Sequence, residues 1–130
     1  MAYIPQENFL FEGTIQDNLT KGLTEYDSDK LKFFINLLHF EIPLTQKVTP
    51  FTFNLSSGQL QKIKLIRTFL SMPDILIIDE ALANLDNSIV SNIVQFIQDR
   101  QLTTIIVYHG NFDNYLEKSK YKTLNLSNFI

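Results

Sequence analysis

Cysteine and tryptophan are absent from these 130 residues, and glycine and proline occur four times each. Without cysteine there is no disulfide framework, no thiolate nucleophile and no cysteine-ligated zinc ribbon, a composition that suits a reducing compartment such as the cytoplasm. The glycines are Gly13, Gly22, Gly58 and Gly110; no pair has G-x-x-x-x-G spacing and none precedes a lysine, so the chain carries no phosphate-binding loop of that type. The G-x-G-x-x-G of a dinucleotide-binding turn is missing too. There is no cationic excess: 11 Lys+Arg against 14 Asp+Glu leave a net charge of −3, which gives no electrostatic footprint for nucleic acid. The longest aliphatic run, Ile75 to Ile78, is far shorter than the roughly 20 residues needed to span a bilayer. Met1 to Gln6 has neither the basic start nor the apolar run of a secretory signal, and the first cation is Lys21.

What is present points to one packed domain. Hydrophobic residues make up 45% of the chain and charged residues 19%, enough apolar material for a core and too little charge for a disordered tail. Ala2 to Pro5 reads as a short extended segment, and Gln6 to Gly13 as a loop bearing Phe9, Leu10 and Phe11. Thr14 and Asp17 form a capping box that opens a short helix, and Ser28 can cap a second helix with Leu31, Phe34, Ile35 and Leu38 on one face. Phe40 to Asn54, holding Pro43 and Pro50, reads as a loop. Ser56 and Gln59 make a second capping box ahead of Leu60, Ile63, Ile66, Phe69 and Leu70, in a helix that must end by Met72, before Pro73.

Ile75 to Ile78 is apolar on both faces, as a parallel strand covered by helices would be, and stops abruptly at Asp79 and Glu80. Asp86 or Asn87 caps a helix with Ile89, Ile93, Phe96 and Ile97 inward, and Thr104 to Tyr108 is a strand that leads into His109. A short helix over Phe112 to Lys118 and a strand near Tyr121 to Leu126 finish the chain. This alternation predicts an α/β fold with a mainly parallel sheet flanked by helices, in which ligands sit beyond the carboxyl ends of the strands. Gln6, Asp79, Glu80 and His109 all fall just past such ends.

Two acids at the end of an aliphatic strand suit phosphate chemistry, in which one holds a hydrated Mg²⁺ and the other orients an attacking water. Strand-end acids are also common with no such role. Ser56 to Gln59 offers backbone N–H groups and a hydroxyl to an anion, and the same pattern serves as an ordinary helix cap. His39 has no motif around it and reads as a helix-end residue; Phe9, Leu10 and Phe11 suit either local packing or a partner surface.

The order of the motifs is more specific than any one of them. Tyr3-Ile-Pro-Gln-Glu-Asn-Phe-Leu-Phe-Glu-Gly-Thr-Ile-Gln-Asp-Asn-Leu19, Leu55-Ser-Ser-Gly-Gln59, Asp74-Ile-Leu-Ile-Ile-Asp-Glu80, Ala83-Asn-Leu-Asp86 and His109 resemble the second part of an ATP-binding cassette (ABC) transporter ATPase domain. The resemblance covers nearly the whole chain and implies a partial P-loop NTPase fold, with residues 14–72 as the helical signature subdomain and residues 1–13 and 73–130 as part of the α/β core. It makes Gln6 the Q-loop glutamine, which meets Mg²⁺ through water or the attacking water itself. Ser56, Ser57, Gly58 and Gln59 become the signature residues that touch the γ-phosphate of ATP bound by the opposite protomer. Asp79 resembles the Walker B aspartate that holds Mg²⁺ through water, Glu80 the catalytic base, Asp86 the D-loop aspartate and His109 the switch histidine at the γ-phosphate. Arg67 stands where the signature helix usually carries a structural arginine. The run from Leu10 to Ile15 resembles the Q-loop region of exporters, which implies a surface that receives a coupling helix.

Three departures stand out. Ser57 replaces the first glycine of the usual LSGGQ, and Asn84 stands where a small residue is usual. The third is the Walker A loop with its lysine, which the resemblance would put before Met1. The implied function is the C-terminal part of an ATPase domain that powers export across a membrane, using ATP and Mg²⁺ with the missing loop or a partner protomer. Its implied partners are the transporter membrane domain, through the Q-loop region, and a second nucleotide-binding domain in a homodimer at the cytoplasmic face of the membrane, with no nucleic acid. A non-catalytic interaction module, or a fragment without ATPase activity of its own, is the competing reading. The ATPase heads of chromosome and DNA-repair proteins share a signature motif, but Gly13-Thr14-Ile15 and Gln61-Lys-Ile-Lys-Leu-Ile-Arg67 favour transporters.

Overall fold

The aliphatic run that ends in two acids is the middle strand of the sheet. A computed structural model describes residues 1–4, 10–49, 55–108 and 122. The elements run β1 (Ala2–Ile4), β2 (Gly13–Thr14), α1 (Ile15–Leu19), α2 (Ser28–Leu37), β3 (Lys47–Val48), α3 (Ser57–Leu70), β4 (Ile75–Asp79), α4 (Asn87–Asp99) and β5 (Thr103–Val107). Strands β1, β4 and β5 form a parallel sheet in that order, in the register Ala2–Leu76–Thr104, Tyr3–Ile77–Ile105 and Ile4–Ile78–Ile106. The expected helix over Phe112 to Lys118 and strand near Tyr121 to Leu126 lie outside the described residues.

Side chains alternate across a strand, so the register sorts the sheet into two faces. Ile4, Leu76 and Ile78 are fully buried on one of them. Tyr3, Ile75, Ile105 and Val107 occupy the other and remain 39–56% exposed. Among the described residues, then, Ile75 to Ile78 is covered on one face rather than on both: its composition shows that burial is needed there without showing which element supplies it.

Helix α2 starts one residue earlier than expected. Asp27, not Ser28, is the N-cap, and its carboxylate accepts from the N–H of Asp29 at 2.8 Å. Leu31, Phe34 and Leu38 are buried along its inner face, with Ile35 half-buried. Phe34 is the hinge of the packing: its ring centroid lies 5.4 Å from Phe69 of α3 and 5.3 Å from Phe96 of α4, edge-on to the latter at 90°. Such aromatic pairs add about 0.5–1.5 kcal/mol beyond the area they bury. On α4, Ile89, Ile93, Phe96 and Ile97 are all buried, as the periodicity requires.

The segment expected to be a loop over Phe40 to Asn54 contains β3, which pairs antiparallel with β2. A helix leaves its first N–H groups without intrahelical acceptors. Here the carbonyls of Gln46 and Leu44 accept from Ile15 and Gln16 at 2.9 and 3.0 Å, so this segment completes the start of α1. Thr14 and Asp17 form the expected capping box, and Gly13 precedes it at φ +146°, where a Cβ would sit 2.8 Å from an Asp17 carboxylate oxygen. Asn18 is fully buried and clamps the entry to α1: its amide group bonds the N–H and C=O of Phe11 and the C=O of Thr14. Arg67 Nε donates to the Asn18 carbonyl at 2.7 Å, and the guanidinium lies 5.4 Å from the Phe11 ring centroid. Among the described residues, no helix is long and apolar enough to cross a membrane.

Candidate functional site

Helix α3 begins where the sequence requires. The Ser56 hydroxyl accepts from the Gln59 N–H at 3.2 Å, and the Gln59 side chain accepts from the Ser56 N–H at 2.9 Å, a complete capping box. A hydroxyl that accepts keeps its own proton to donate. The box also leaves the N–H groups of Ser57 and Gly58 without intrahelical acceptors, at the positive end of a 14-residue helix. The start of α3 therefore presents a hydroxyl donor and two amides, a donor set made for an anion.

A second segment faces this one. After β4 the chain turns through Glu80 to Leu85, with the Ala83 N–H on the Glu80 carbonyl and the Leu85 N–H on the Leu82 carbonyl, before Asp86 takes the N-cap position of α4. Gly58 lies so near this turn that a Cβ there would be 3.1 Å from the Asn84 carbonyl oxygen. Between the two segments lies an open cleft of about 340 Å³, lined by Ser56, Ser57, Gly58, Gln59, Lys62 and Asp86 together with Asn84, Leu85 and Ile89. The Asp86 side chain makes no capping hydrogen bond, so its carboxylate is not committed to the helix. Lys62 is held by the His39 carbonyl at 3.2 Å. His39 is exposed, at φ +48° just past α2, the helix-end position expected of it.

Ser56, Ser57, Gly58 and Gln59, the expected signature residues, and Asp86, the expected D-loop aspartate, thus line one cleft. Two of the three departures from the motifs, Ser57 and Asn84, line it too. Lys62 is the member that motif spacing alone did not single out. It lies three residues beyond Gln59, nearly one helical turn on, and that periodicity is the signal that could have found it.

The two acids sit apart from the cleft lining, at the carboxyl end of β4. Asp79 is the last residue of the strand and accepts from the Tyr3 hydroxyl at 2.9 Å. Glu80 follows at φ +54°, a left-handed conformation that costs a non-glycine residue about 1 kcal/mol or more. Its N–H donates to the Val107 carbonyl at 2.9 Å, which fixes the strained residue to the end of β5. Left-handed non-glycine residues concentrate at functional sites, where the surroundings enforce them. Gln6 and His109, the other expected members, lie outside the described residues.

Among the described residues, no three His, Cys, Asp or Glu side chains converge as a metal cage would need. One strand-end carboxylate with a second beside it instead fits a hard cation that keeps its waters and arrives with phosphates, as Mg²⁺ does. Elsewhere in α3, burial pushes the Lys64 ammonium below its ordinary pKa, and the nearby Arg67 charge adds to the shift.

A family model described as ABC transporter matches residues 1–83. The chain is 36% identical over 118 residues to the lactococcin-G-processing and transport ATP-binding protein LagD of Lactococcus lactis subsp. lactis, covering 82% of this chain and 16% of that protein. It is 32% identical over 121 residues to the ATP-dependent permease MDL1 of Candida albicans, covering 84% of this chain and 18% of the permease. The chain spans about a fifth of the length of the curated relatives it matches. Its fold is also that of a bacterial Atm1-family ABC exporter solved with ATP bound, with a TM-score of 0.74 and 24% identity over 84% of this chain and 21% of the exporter chain.

Proposed function

The chain belongs to the ABC transporter family, and on that premise we propose that it is the signature-bearing part of an ATP-hydrolysing domain that powers export across a membrane. The observation that carries this reading is the convergence of Ser56 to Gln59 with Asn84 to Asp86 on a single open cleft. Within the family this cleft is read as the face turned to ATP held by another protomer. The Ser56 hydroxyl and the Ser57 and Gly58 amides donate to the γ-phosphate, Gln59 braces the cap, and Asp86 reaches across the protomer boundary.

Glu80 acts as the general base that draws a proton from the attacking water, its backbone held in the left-handed conformation at the end of β4. Asp79 would hold Mg²⁺, and the bound cation would neutralise charge on the phosphates. Gln6 and His109 complete the set, the first at the metal shell and the attacking water, the second at the γ-phosphate. Residues 14–72 form the helical signature subdomain, and residues 1–13 and 73–130 belong to the α/β core.

The chain by itself does not turn ATP over, because its glycines supply no loop to cradle the β- and γ-phosphates. The nucleotide comes with a Walker A loop elsewhere in the protein or on a partner protomer. The Q-loop region meets a transporter membrane domain, and two such nucleotide-binding domains pair as a homodimer at the cytoplasmic face of the membrane.

The test is Glu80→Gln in the complete ATP-binding protein. Removing a general base lowers turnover by roughly 10²-fold to 10⁴-fold while the amide keeps the shape. ATP binding is then expected to stay at the parental affinity. Turnover at the parental rate would refute Glu80 as the base and leave His109 as the next candidate.

A further inference from the structure

We propose that the Tyr3 hydroxyl is a positioning group for the Asp79 carboxylate, fixing the plane of the group and so the direction in which its second oxygen faces the cation shell. The inference rests on the reading of Asp79 as the Mg²⁺-side carboxylate. Strand β1 pairs with β4 so that Tyr3 lies opposite Ile77. Asp79 is two residues further along on the same face, a distance of roughly 6–7 Å along a strand. The tyrosine covers that span and donates to Asp79 Oδ2 at 2.9 Å, where a phenylalanine would cover it with no donor.

Rotation of a carboxylate about its last bond is broad and nearly two-fold, so nothing in the Asp79 side chain itself selects an orientation. A donor on Oδ2 makes that selection. With Oδ2 engaged by Tyr3, Oδ1 is the oxygen that would turn toward the cation. Tyr3 is 53% exposed and stands on the sheet face that no described element covers, so its burial contributes little to the core.

The bond itself is read in the chain as it stands, through the deuterium isotope shift that a hydroxyl donor imposes on the Asp79 side-chain carbonyl carbon. It is present in the parent and lost in Tyr3→Phe. The consequence is read as Mn²⁺ affinity by electron paramagnetic resonance in the complete ATP-binding protein with ADP bound. Removing an outer-shell partner of a metal ligand typically costs 10- to 100-fold in metal affinity. A water-mediated site belongs at the lower end, so Tyr3→Phe is expected to weaken Mn²⁺ by roughly 10-fold, and Tyr3→Leu no further. Parental Mn²⁺ affinity in Tyr3→Phe, with Asp79→Asn much weaker, would overturn the role of Tyr3 and leave the site reading intact. Parental affinity in Asp79→Asn would overturn the site reading beneath it.

Discussion

Replacing Gly58 with alanine sets two effects of known sign against each other. Gly58 lies in the first turn of α3, where alanine is favoured over glycine by up to about 1 kcal/mol, because glycine loses more backbone freedom on folding. Against this, the added Cβ would stand 3.1 Å from the Asn84 carbonyl oxygen, so the turn after β4 must retreat by a few tenths of an ångström. Overpacking of this kind costs about 1–3 kcal/mol in a closed core and less where the neighbour is an exposed turn free to move, as Asn84 is. The two contributions nearly cancel, and Gly58→Ala is expected to unfold in urea within about 1 kcal/mol of the parent. The geometry does not cancel. Amide chemical shifts of Ala83 to Asp86 are expected to move in Gly58→Ala and to stay fixed in Ser57→Ala, whose side chain is exposed. A loss above about 2 kcal/mol, or unmoved shifts at Asn84 and Leu85, would refute the reasoning that Gly58 sets the width of the cleft.

Other substitutions probe the supports of the site. Ser56→Ala removes the acceptor of the α3 capping box and should cost about 1 kcal/mol in urea denaturation. Phe34→Ala empties the point where α2, α3 and α4 meet and should cost about 3–5 kcal/mol, a large share of the 5–15 kcal/mol that holds a domain folded. Asp17 is held below the usual carboxylate pKa first by the Thr14 backbone N–H and then by the Thr14 hydroxyl. Its contribution to stability is therefore complete above the ordinary value of 3.8 and lost as pH falls through the lower folded value. Asp17→Asn should accordingly flatten the acid limb of a stability–pH profile below about pH 4. Calorimetry of the isolated chain with Mg-ATP should give no micromolar binding, and such binding would contradict the absence of a phosphate-cradling loop.

Local chemistry made much of this legible from the sequence. Capping boxes are pairs of polar side chains at fixed spacing, so Thr14–Asp17 and Ser56–Gln59 place the starts of α1 and α3 to the residue. The 3.6-residue repeat likewise picks the buried faces of α2 and α4. Features that depend on distant partners were not legible. Strand β3 exists because the segment around Leu44 and Gln46 supplies acceptors to α1, a debt that nothing local to Lys47 and Val48 reveals. Asp27 displaces Ser28 as a cap because both are competent and a carboxylate accepts well from two N–H groups. At the candidate cleft, motif order pointed to Ser56 to Gln59 and Asp86, which line it, whereas Lys62 joins them through helix periodicity and Tyr3 reaches Asp79 through strand register.

On the proposed reading, the cleft between α3 and the turn after β4 faces a nucleotide held by another protomer. The most direct measurement is photolabelling of the complete ATP-binding protein with an ATP analogue that carries a reactive group on its γ-phosphate, followed by peptide mapping. Label is expected on the peptide spanning Ser56 to Lys62, and on the protomer opposite the one whose Walker A loop binds the analogue. Label confined to the protomer that binds the analogue, or absent from that peptide, would contradict a nucleotide shared across the protomer boundary.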